Sequence, residues 1–271
     1  MLKTIIKKIG RTIRLNKKLP EKTGLAAASI RLYITGIFYP KSKKFWYTSF
    51  LGLKASAYTY KTLDFLFDEI FIGNEYYFES NDKNPLIIDC GANIGFATLF
   101  FKKLYPNAKV ICFEANPYAF ELLKLNAEQN NFTNMELYNE ALSDKEGDIS
   151  FFIGHKETLH GSLSSERGGE EKINCKAVLL SNYIKQYDKI DFIKIDVEGA
   201  EWLILDDLVT TGAIKKVNQF IIEYHHKMSS EPSRLSSFLK IMEENGFEYN
   251  IKADYFSKGD FQDILIHFFT V

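Results

Sequence analysis

The chain of 271 residues is 46% hydrophobic and 25% charged, which excludes a disordered polymer and is typical of a soluble globular protein with one large α/β domain and an appendage. Its net charge of −1 hides an asymmetry, because residues 1–44 hold twelve Lys or Arg against one Glu, giving +11 and leaving −12 for the remainder. The three cysteines are too few and too scattered for a disulfide framework, and no two of them have the spacing of metal ligands. A reducing compartment is therefore expected.

Residues 1–18 predict a basic amphipathic helix, because apolar residues recur at helical spacing among seven basic ones. Its apolar stripe could dock on the rest of the protein, as such helices usually do. Alternatively, the helix could attach the chain to anionic lipid or to an acidic partner. The segment lacks the apolar core and cleavage site of a signal peptide, and the later run 24–39 is short and contains Arg31, so no transmembrane span is expected. We therefore expect a cytoplasmic protein, with peripheral contact at the inner membrane face as a further option.

From about residue 84, short β-rich runs alternate with longer helical patterns, as a parallel sheet with crossover helices requires. This assigns residues 68–271 to one α/β domain and residues 1–67 to a basic helical extension. The polar, glycine-rich stretch 154–172 predicts a long surface loop, of the kind that often binds ligands. The predicted strands are 86–90, 109–114, 134–138, 148–153, 173–179, 191–196, 218–224, 247–252 and 263–270, and the predicted helices are 94–104, 117–129, 198–208 and 232–245.

The turn after the first of these strands predicts a ligand at the start of the next helix. Strand 86–90 contains Asp89, Gly91 allows a tight turn, and Gly95 lets the helix pack close to the strand. The dinucleotide fingerprint fails, because Asp89 and Ile94 stand where it requires glycines, which argues against a nicotinamide-dependent reductase. A carboxylate facing a pyrophosphate would also be repelled by about 1 to 4 kcal/mol at about 4 Å. A cationic ligand would instead be attracted to the carboxylate.

Glu114 ends the next strand, where mononucleotide-binding folds place an acid that accepts hydrogen bonds from both ribose hydroxyls. S-adenosylmethionine suits this pair of acids. Its ribose fits Glu114, its ammonium and sulfonium tolerate Asp89, and its carboxylate suits a helix N-terminus. The structural alternative makes Asp89 a helix cap and Glu114 a loop acid.

The motifs IIDCGANIGFAT, ICFEANP, NEALSD, FIKIDVEGAEWLIL and IIEYHH together resemble the FkbM-type methyltransferases over about residues 68–268. The stretch EIFIGNEYYF at 69–78 is similar to that family's strand-and-loop lead-in. The resemblance implies a Rossmann-like class I methyltransferase fold with a mostly parallel seven-stranded sheet and helices on both faces. It also implies a cofactor site for S-adenosylmethionine formed by Asp89, Gly91, Asn93, Gly95, Glu114, Ala115, Glu140, Ala141 and Asp196.

The implied reaction is methyl transfer to a hydroxyl oxygen of a sugar, a glycan or a secondary metabolite. Oxygen is favoured over nitrogen because Asp-Val-Glu-Gly at 196–199 stands where methylases of base amines carry Asn/Asp-Pro-Pro-aromatic. We expect Asp196 near the transferring methyl and Glu198 in the acceptor pocket, whereas Glu201 fits a helix first turn. Lys194 shares the strand face of Asp196 and would pair with it. These acids could also hold Mg²⁺, but the sequence shows no octahedral oxygen set, and no metal site is assigned.

His225 is our candidate general base, because it is expected just past the end of strand 218–224 and titrates near working pH. A purely structural, hydrogen-bonded role is the alternative, and Asp196 is the rival base. On the long loop, His160 and Ser162 are candidates for acceptor binding if the loop closes over the site.

Two other functions remain open at this stage. An RNA methyltransferase would use the basic residues 1–44 on phosphates and would bind RNA in a strongly salt-dependent manner. No RNA-binding module is recognisable, so nucleic acid is not the expected partner. A catalytically silent module would retain cofactor binding but lack an acceptor pocket.

Overall fold

A helical pair and a hairpin precede the main sheet in this computed structural model, which describes residues 1–15, 18–39, 46–154, 161–162, 169–226, 234–253 and 262–271. The hairpin turns tightly because Leu51 and Gly52 both have positive φ, as two-residue hairpin loops require. Thr59 caps the third helix by accepting a hydrogen bond from the Thr62 amide at 3.0 Å. The elements are α1 (Leu2–Ile13), α2 (Leu19–Phe38), β1 (Trp46–Phe50), β2 (Leu53–Ala57) and α3 (Tyr60–Leu66), which continues as a π-helical turn over Phe67–Ile72.

This N-terminal part shares one hydrophobic core with the sheet domain. Leu25 and Leu32 of α2 are buried in the same cluster as Phe71, Phe96 and Ile87. The predicted lead-in at 69–78 is wrong in type, since its first residues extend the π-helical turn instead of forming a strand. Among the described helices, none combines the length and apolarity needed to cross a bilayer.

The predicted mostly parallel seven-stranded sheet is confirmed. Its spatial order is β12-β13-β11-β10-β3-β4-β5, and β13 runs antiparallel to both of its neighbours while the other pairs are parallel. Because the strand order reverses between β3 and β10, a ligand crevice is expected outside their carboxyl ends. The seven strands are β3 (Leu86–Cys90), β4 (Lys109–Phe113), β5 (Met135–Tyr138), β10 (Phe192–Ile195), β11 (Gln219–His226), β12 (Phe247–Ala253) and β13 (Gln262–Thr270).

Helices cross between these strands close to the predicted positions, but three of them begin later than expected, and a short helix at Leu180–Ile184 was not predicted. The helix predicted from 232 begins at Leu235. Asn93 and Gly95 have positive φ, so the helix predicted from 94 begins at Phe96. Glu198 and Gly199 also have positive φ, which delays the helix predicted from 198 until Glu201. The helices are α4 (Phe96–Leu104), α5 (Pro117–Gln129), α6 (Leu180–Ile184), α7 (Glu201–Thr210), followed by a 3₁₀ turn at Ala213–Lys216, and α8 (Leu235–Glu244).

A second, four-stranded sheet of order β6-β9-β7-β8 lies beside the cofactor edge of the domain. The predicted loop 154–172 is interrupted here, because Ser162 pairs with Phe152 in an antiparallel ladder. Of the other positions in that loop, 155–160 and 163–168 lie outside the described residues, and the last two, 171 and 172, belong to the next strand. The strands are β6 (Ala141–Leu142), β7 (Gly147–Ile153), β8 (Gly161–Ser162) and β9 (Glu171–Val178).

Candidate active site

The turn after β3 brings the ends of three strands into backbone contact. Gly91 has a φ of +76°, and its amide donates to the Phe113 carbonyl at 2.9 Å. A Cβ at Gly91 would lie 1.8 Å from the carbonyl oxygen of Asp196, so only glycine fits at this crossing. A Cβ at Gly95 would lie 2.7 Å from Leu123 Cδ1, which explains how α4 packs so close to α5. The two glycines therefore shape the floor of the crevice.

Glu114 follows β4 and is fixed by two backbone amides. Its Oε2 accepts from the Asn93 amide and its Oε1 from the Asn116 amide, both at 2.7 Å. Burial raises the pKa of Glu114 to about 7, although these two hydrogen bonds oppose the rise. Each carboxylate oxygen has a second lone pair, so the group can still accept the two hydroxyls of a ribose.

A cavity opens at the carboxyl ends of β3, β4 and β10, beside Glu114. Seven of the nine residues that were predicted to bind the cofactor line it, whereas Asp89 and Gly95 do not. Glu140 is held at the far side, where its carboxylate accepts from Lys176 Nζ at 2.6 Å and from the Tyr183 hydroxyl. The lining residues are Gly91, Asn93, Phe113, Glu114, Ala115, Glu140, Ala141, Leu142, Phe151, Asp196, Val197 and Ala200.

Asp89 is fully buried, and this changes the role that its charge can have. Its Oδ2 accepts from the Thr98 hydroxyl at 2.8 Å, and its Oδ1 lies 3.5 Å from Lys194 Nζ. Lys194 also approaches Asp196 at 3.4 Å and donates to the Gly91 carbonyl at 2.6 Å. The arrangement gives no support to direct contact between Asp89 and a cofactor ammonium; Asp89 instead positions Lys194.

Lys194 is thereby kept charged between two acids. Burial alone would lower the pKa of Lys194, but the charges of Asp196 and Asp89 outweigh it and raise the pKa above its ordinary value. The pairing of Lys194 with Asp196 that the shared strand face predicted is confirmed by the 3.4 Å distance.

Asp196 also lies close to Tyr76, which connects it to Glu223. The Tyr76 hydroxyl lies 3.2 Å from Asp196 Oδ2 and 3.3 Å from Glu223 Oε2. Tyr76 can donate its one hydrogen to either carboxyl group. Burial and the charge of Asp196 raise the pKa of Glu223 well above its ordinary value.

His225 occupies a different position from the one predicted. Strand β11 continues through His226, so His225 lies inside the strand and is almost fully buried. Its Nδ1 lies 2.6 Å from Glu201 Oε1, and its Nε2 lies 3.2 Å from Glu198 Oε2. Burial alone would lower the pKa of His225, but the charge of Glu201 and the hydrogen bonds that the ring donates to Glu198 and Glu201 raise it well above its ordinary value.

An imidazolium held between two carboxylates has no lone pair with which to accept a proton. The geometry therefore argues against His225 as the general base and favours the structural alternative, in which it joins β11 to the turn before α7. Glu201 lies in the first turn of α7, as predicted, where its Oε1 also accepts from the Gly199 amide at 2.9 Å.

The structure brings together two of the three predicted acceptor-binding residues. Ser162 is buried, and its hydroxyl donates to the Glu198 carbonyl at 2.6 Å. Glu198 itself has a φ of +53°, a conformation that non-glycine residues rarely adopt and that aims its side chain at His225. His160 lies outside the described residues.

Ligand-type atoms of Asp196, Glu198 and His225 lie within 4.8 Å of one another, as do those of Glu223, His225 and Asp263. Both groups include His225, whose ring nitrogens already lie within hydrogen-bond distance of Glu201 and Glu198. Magnesium also prefers an all-oxygen, octahedral set of ligands. The residues therefore do not fit Mg²⁺ as they stand, and His225 already supplies a counterion for these acids.

Tyr76 and Glu223 are the functional candidates that the sequence analysis missed. Tyr76 belongs to the stretch EIFIGNEYYF and Glu223 to IIEYHH, in which Glu223 shares a strand face with His225. The signal for Tyr76 could not be local, since its partner Asp196 lies 120 positions away in the sequence.

The Methyltransferase FkbM domain model matches residues 89–249, which is more than half of the chain. The chain belongs to the FkbM methyltransferase family. The FkbM methyltransferase of Methylobacillus flagellatus is similar in structure, with a TM-score of 0.50 at 14% identity, over 78% of this chain and 54% of that one. This likeness supports the fold, and the family assignment makes the protein a methyltransferase.

Two relatives are similar in sequence to this FkbM methyltransferase. Methyltransferase sdnD of Sordaria araneosa is 27% identical over an alignment of 217 positions, which covers 68% of this chain and 82% of the relative. The 2-O-methyltransferase NoeI of Sinorhizobium fredii is 27% identical over an alignment of 135 positions, which covers 44% of this chain and 55% of the relative.

Proposed function

We propose that this enzyme transfers the methyl group of S-adenosylmethionine to a hydroxyl oxygen of a sugar, a glycan or a small secondary metabolite. The observation that carries the proposal is the position of Asp196, which borders the cofactor cavity and also ends the Tyr76–Glu223 hydrogen-bond chain. One carboxylate thus faces both reactants. The name of the relative NoeI, a 2-O-methyltransferase, supports oxygen as the acceptor atom.

On the cofactor side, Glu114 would accept the ribose hydroxyls, and the turn at 91–95 would approach the amino-acid end closely. Phe113, Ala141 and Leu142 offer the apolar wall that an adenine ring needs. When bound, S-adenosylmethionine supplies an electrophilic methyl group on a sulfonium. The residues of the chain must then place the acceptor oxygen in line with it and take up the proton.

Asp196 is suited to that proton transfer. Its side chain is 25% exposed, so an acceptor hydroxyl can reach it, while Lys194 and Tyr76 fix its orientation. A positioned base of this kind contributes about 10²–10⁴ in rate. Asp196 therefore replaces His225 as the base we propose, and His225 becomes a positioning residue through Glu198.

Asp196 lies near further acids whose charges are largely compensated by cations. Lys194 lies 3.4 Å from Asp196, His225 lies between Glu198 and Glu201, and Lys252 pairs with Glu75 at 2.8 Å. Burial and the charges of Glu75 and Asp196 raise the pKa of Glu69 to about 8. Such a surface offers hydrogen-bond acceptors to hydroxyl groups, which favours a neutral polyhydroxyl acceptor.

The test is turnover with purified protein, S-adenosylmethionine and a panel of neutral glycosides, hydroxylated lactones, amines and RNA transcripts, read as release of S-adenosylhomocysteine. We expect turnover with a hydroxyl compound, loss of turnover in Asp196→Asn, and no stimulation by RNA. Turnover confined to RNA or to amines would overturn the proposal. Cofactor binding without turnover across the panel would point to a catalytically silent module.

A further inference from the structure

The helix α1 is attached to the protein through polar contacts. The Lys8 side chain is 7% exposed, and its Nζ lies 2.8 Å from both Asp64 Oδ1 and Asp68 Oδ2. Thr12, one turn later, is also buried, and Arg11 adds an ion pair to Asp68 at 3.3 Å. The inward face of this amphipathic helix is therefore the face that carries Lys8 and Thr12.

Part of the apolar stripe of α1 consequently points into solvent, while Ile5 and Ile9 of the same stripe are half-buried. Leu2, Ile6 and Ile13 are between 60% and 69% exposed, and their spacing places them on one side of the helix. Leu19, at the start of α2, is 73% exposed. Amphipathic helices of soluble domains normally turn such a stripe toward the core, so this orientation calls for another apolar environment.

A basic stripe runs beside the apolar one. Lys3, Lys7 and Arg14 are exposed, and at 3.6 residues per turn they lie about 100° round the helix from Leu2, Ile6 and Ile13. Residues 1–20 contain no acid. Within the described part of the chain, no carboxylate lies at ion-pair distance from Lys3 or Lys7. The outer surface of α1 thus combines apolar insertion with unopposed positive charge.

We propose that this face of α1 binds the surface of an anionic lipid bilayer, with its apolar stripe at the boundary between headgroups and acyl chains and its basic stripe on the lipid phosphates. A bilayer offers both environments in parallel layers, as interfacial helices require. A second copy of the chain fits less well, because an isologous contact would set two basic stripes against each other. The ion pairs of Lys8 hold the helix while leaving its outer face available.

The experiment is flotation of the full-length protein with phosphatidylcholine vesicles, with and without 30% phosphatidylserine, at low and at high salt. We expect binding only to the anionic vesicles, weakened by salt. The double variant Lys3→Glu with Lys7→Glu should bind at least about 25-fold more weakly, since each basic residue contributes about fivefold near such a surface. The variants Ile6→Glu and Ile13→Glu should also lose binding.

Matched controls show whether a change in net charge or a lost apolar side chain elsewhere has the same effect on vesicle binding. Lys83→Glu with Lys145→Glu makes the same change in net charge at exposed positions elsewhere, and Val271→Glu places an acid at another exposed apolar residue. All variants should retain the melting temperature of the parent, because every substituted side chain is exposed. The proposal is overturned if the parent ignores anionic vesicles at low salt, or if the controls lose as much binding. It is also overturned if Ile6→Glu instead dissociates a dimer seen by sedimentation velocity.

Discussion

Replacing Glu114 by Gln should weaken cofactor binding and remove a pH dependence that the parent protein shows. In the parent, both carboxylate oxygens accept a backbone amide at 2.7 Å, so each has one further lone pair for a ribose hydroxyl. The amide of Gln would set an NH₂ group against one of these backbone donors. Since a hydrogen bond to a charged group contributes about 1.5–3 kcal/mol, we expect a Kd about 10 to 150 times higher in Glu114→Gln at pH 8.

The pH dependence follows from the pKa of Glu114, which burial raises to about 7 in the free protein. Ribose hydroxyls donate to the ionised form, so bound ligand favours deprotonation and binding weakens as the pH falls through this pKa. If Glu114 is fully ionised in the complex, the parent's Kd rises about tenfold from pH 8 to pH 6. This contribution should be absent in Glu114→Gln.

Isothermal titration calorimetry with S-adenosylhomocysteine measures both effects without turnover. Titration of the ligand's own amino group is common to both proteins, so the difference between their pH profiles isolates Glu114. Glu128→Gln, an exposed change of the same type on α5, is the matched control. Equal affinity of Glu114→Gln and the parent at pH 8, or identical pH profiles, would refute the placement of Glu114 on the ribose.

Three other changes give separate tests. Gly91→Ala should abolish cofactor binding and lower the melting temperature, because its Cβ would meet the Asp196 carbonyl oxygen at 1.8 Å; unchanged calorimetric binding contradicts this. Asp196→Asn should lower kcat by about 10²–10⁴, whereas His225→Gln should retain turnover per folded molecule; the reverse pattern restores His225 as the base. His225→Ala should cost about 3–5 kcal/mol of unfolding free energy, since it leaves Glu201 buried without its cation. Because folding raises the pKa of His225, the stability that it supplies is complete below about pH 6.5 and declines as the pH rises; chemical denaturation of both proteins from pH 5.5 to pH 8.5 should show this difference shrinking.

That seven of the proposed cofactor residues line one cavity could be predicted from the sequence, because the signals are local. Asp89, Gly91 and Gly95 lie within one strand–turn–helix unit, and Glu114 ends the neighbouring strand. Parallel strands bring their carboxyl ends to one edge of the sheet. Residues at those ends therefore lie close together, independent of the conformation of the loops. Even there, burial reversed one inference, since the charge of Asp89 is used inside the protein by Lys194.

The acceptor side could not be predicted to the same depth, because its contacts join distant segments. Whether His225 accepts a proton depends on Glu201 and on the left-handed turn at Glu198, and neither the ring's burial nor its two carboxylate partners can be derived from strand alternation. Tyr76 contacts Asp196 from the segment that follows the π-helical turn, which ends four residues earlier, at Ile72. These features depend on tertiary packing, which overrides local pattern.

The orientation of α1 illustrates the same limit. The sequence shows an amphipathic helix, and such helices usually turn their apolar stripe toward the protein core. The ion pairs of Lys8 with Asp64 and Asp68, more than fifty positions away, turn the polar face inward instead.

The central claim is that the methyl group moves from S-adenosylmethionine to oxygen beside Asp196. The most direct measurement uses S-adenosylmethionine labelled with ¹³C at the methyl carbon and follows the product by ¹H–¹³C correlation NMR, in which O-methyl and N-methyl carbons resonate in separate regions. With the acceptor that supports turnover, we expect a single new O-methyl signal that is lost in Asp196→Asn and kept in His225→Gln. An N-methyl or C-methyl signal, or an O-methyl signal that persists undiminished in Asp196→Asn, would contradict the account.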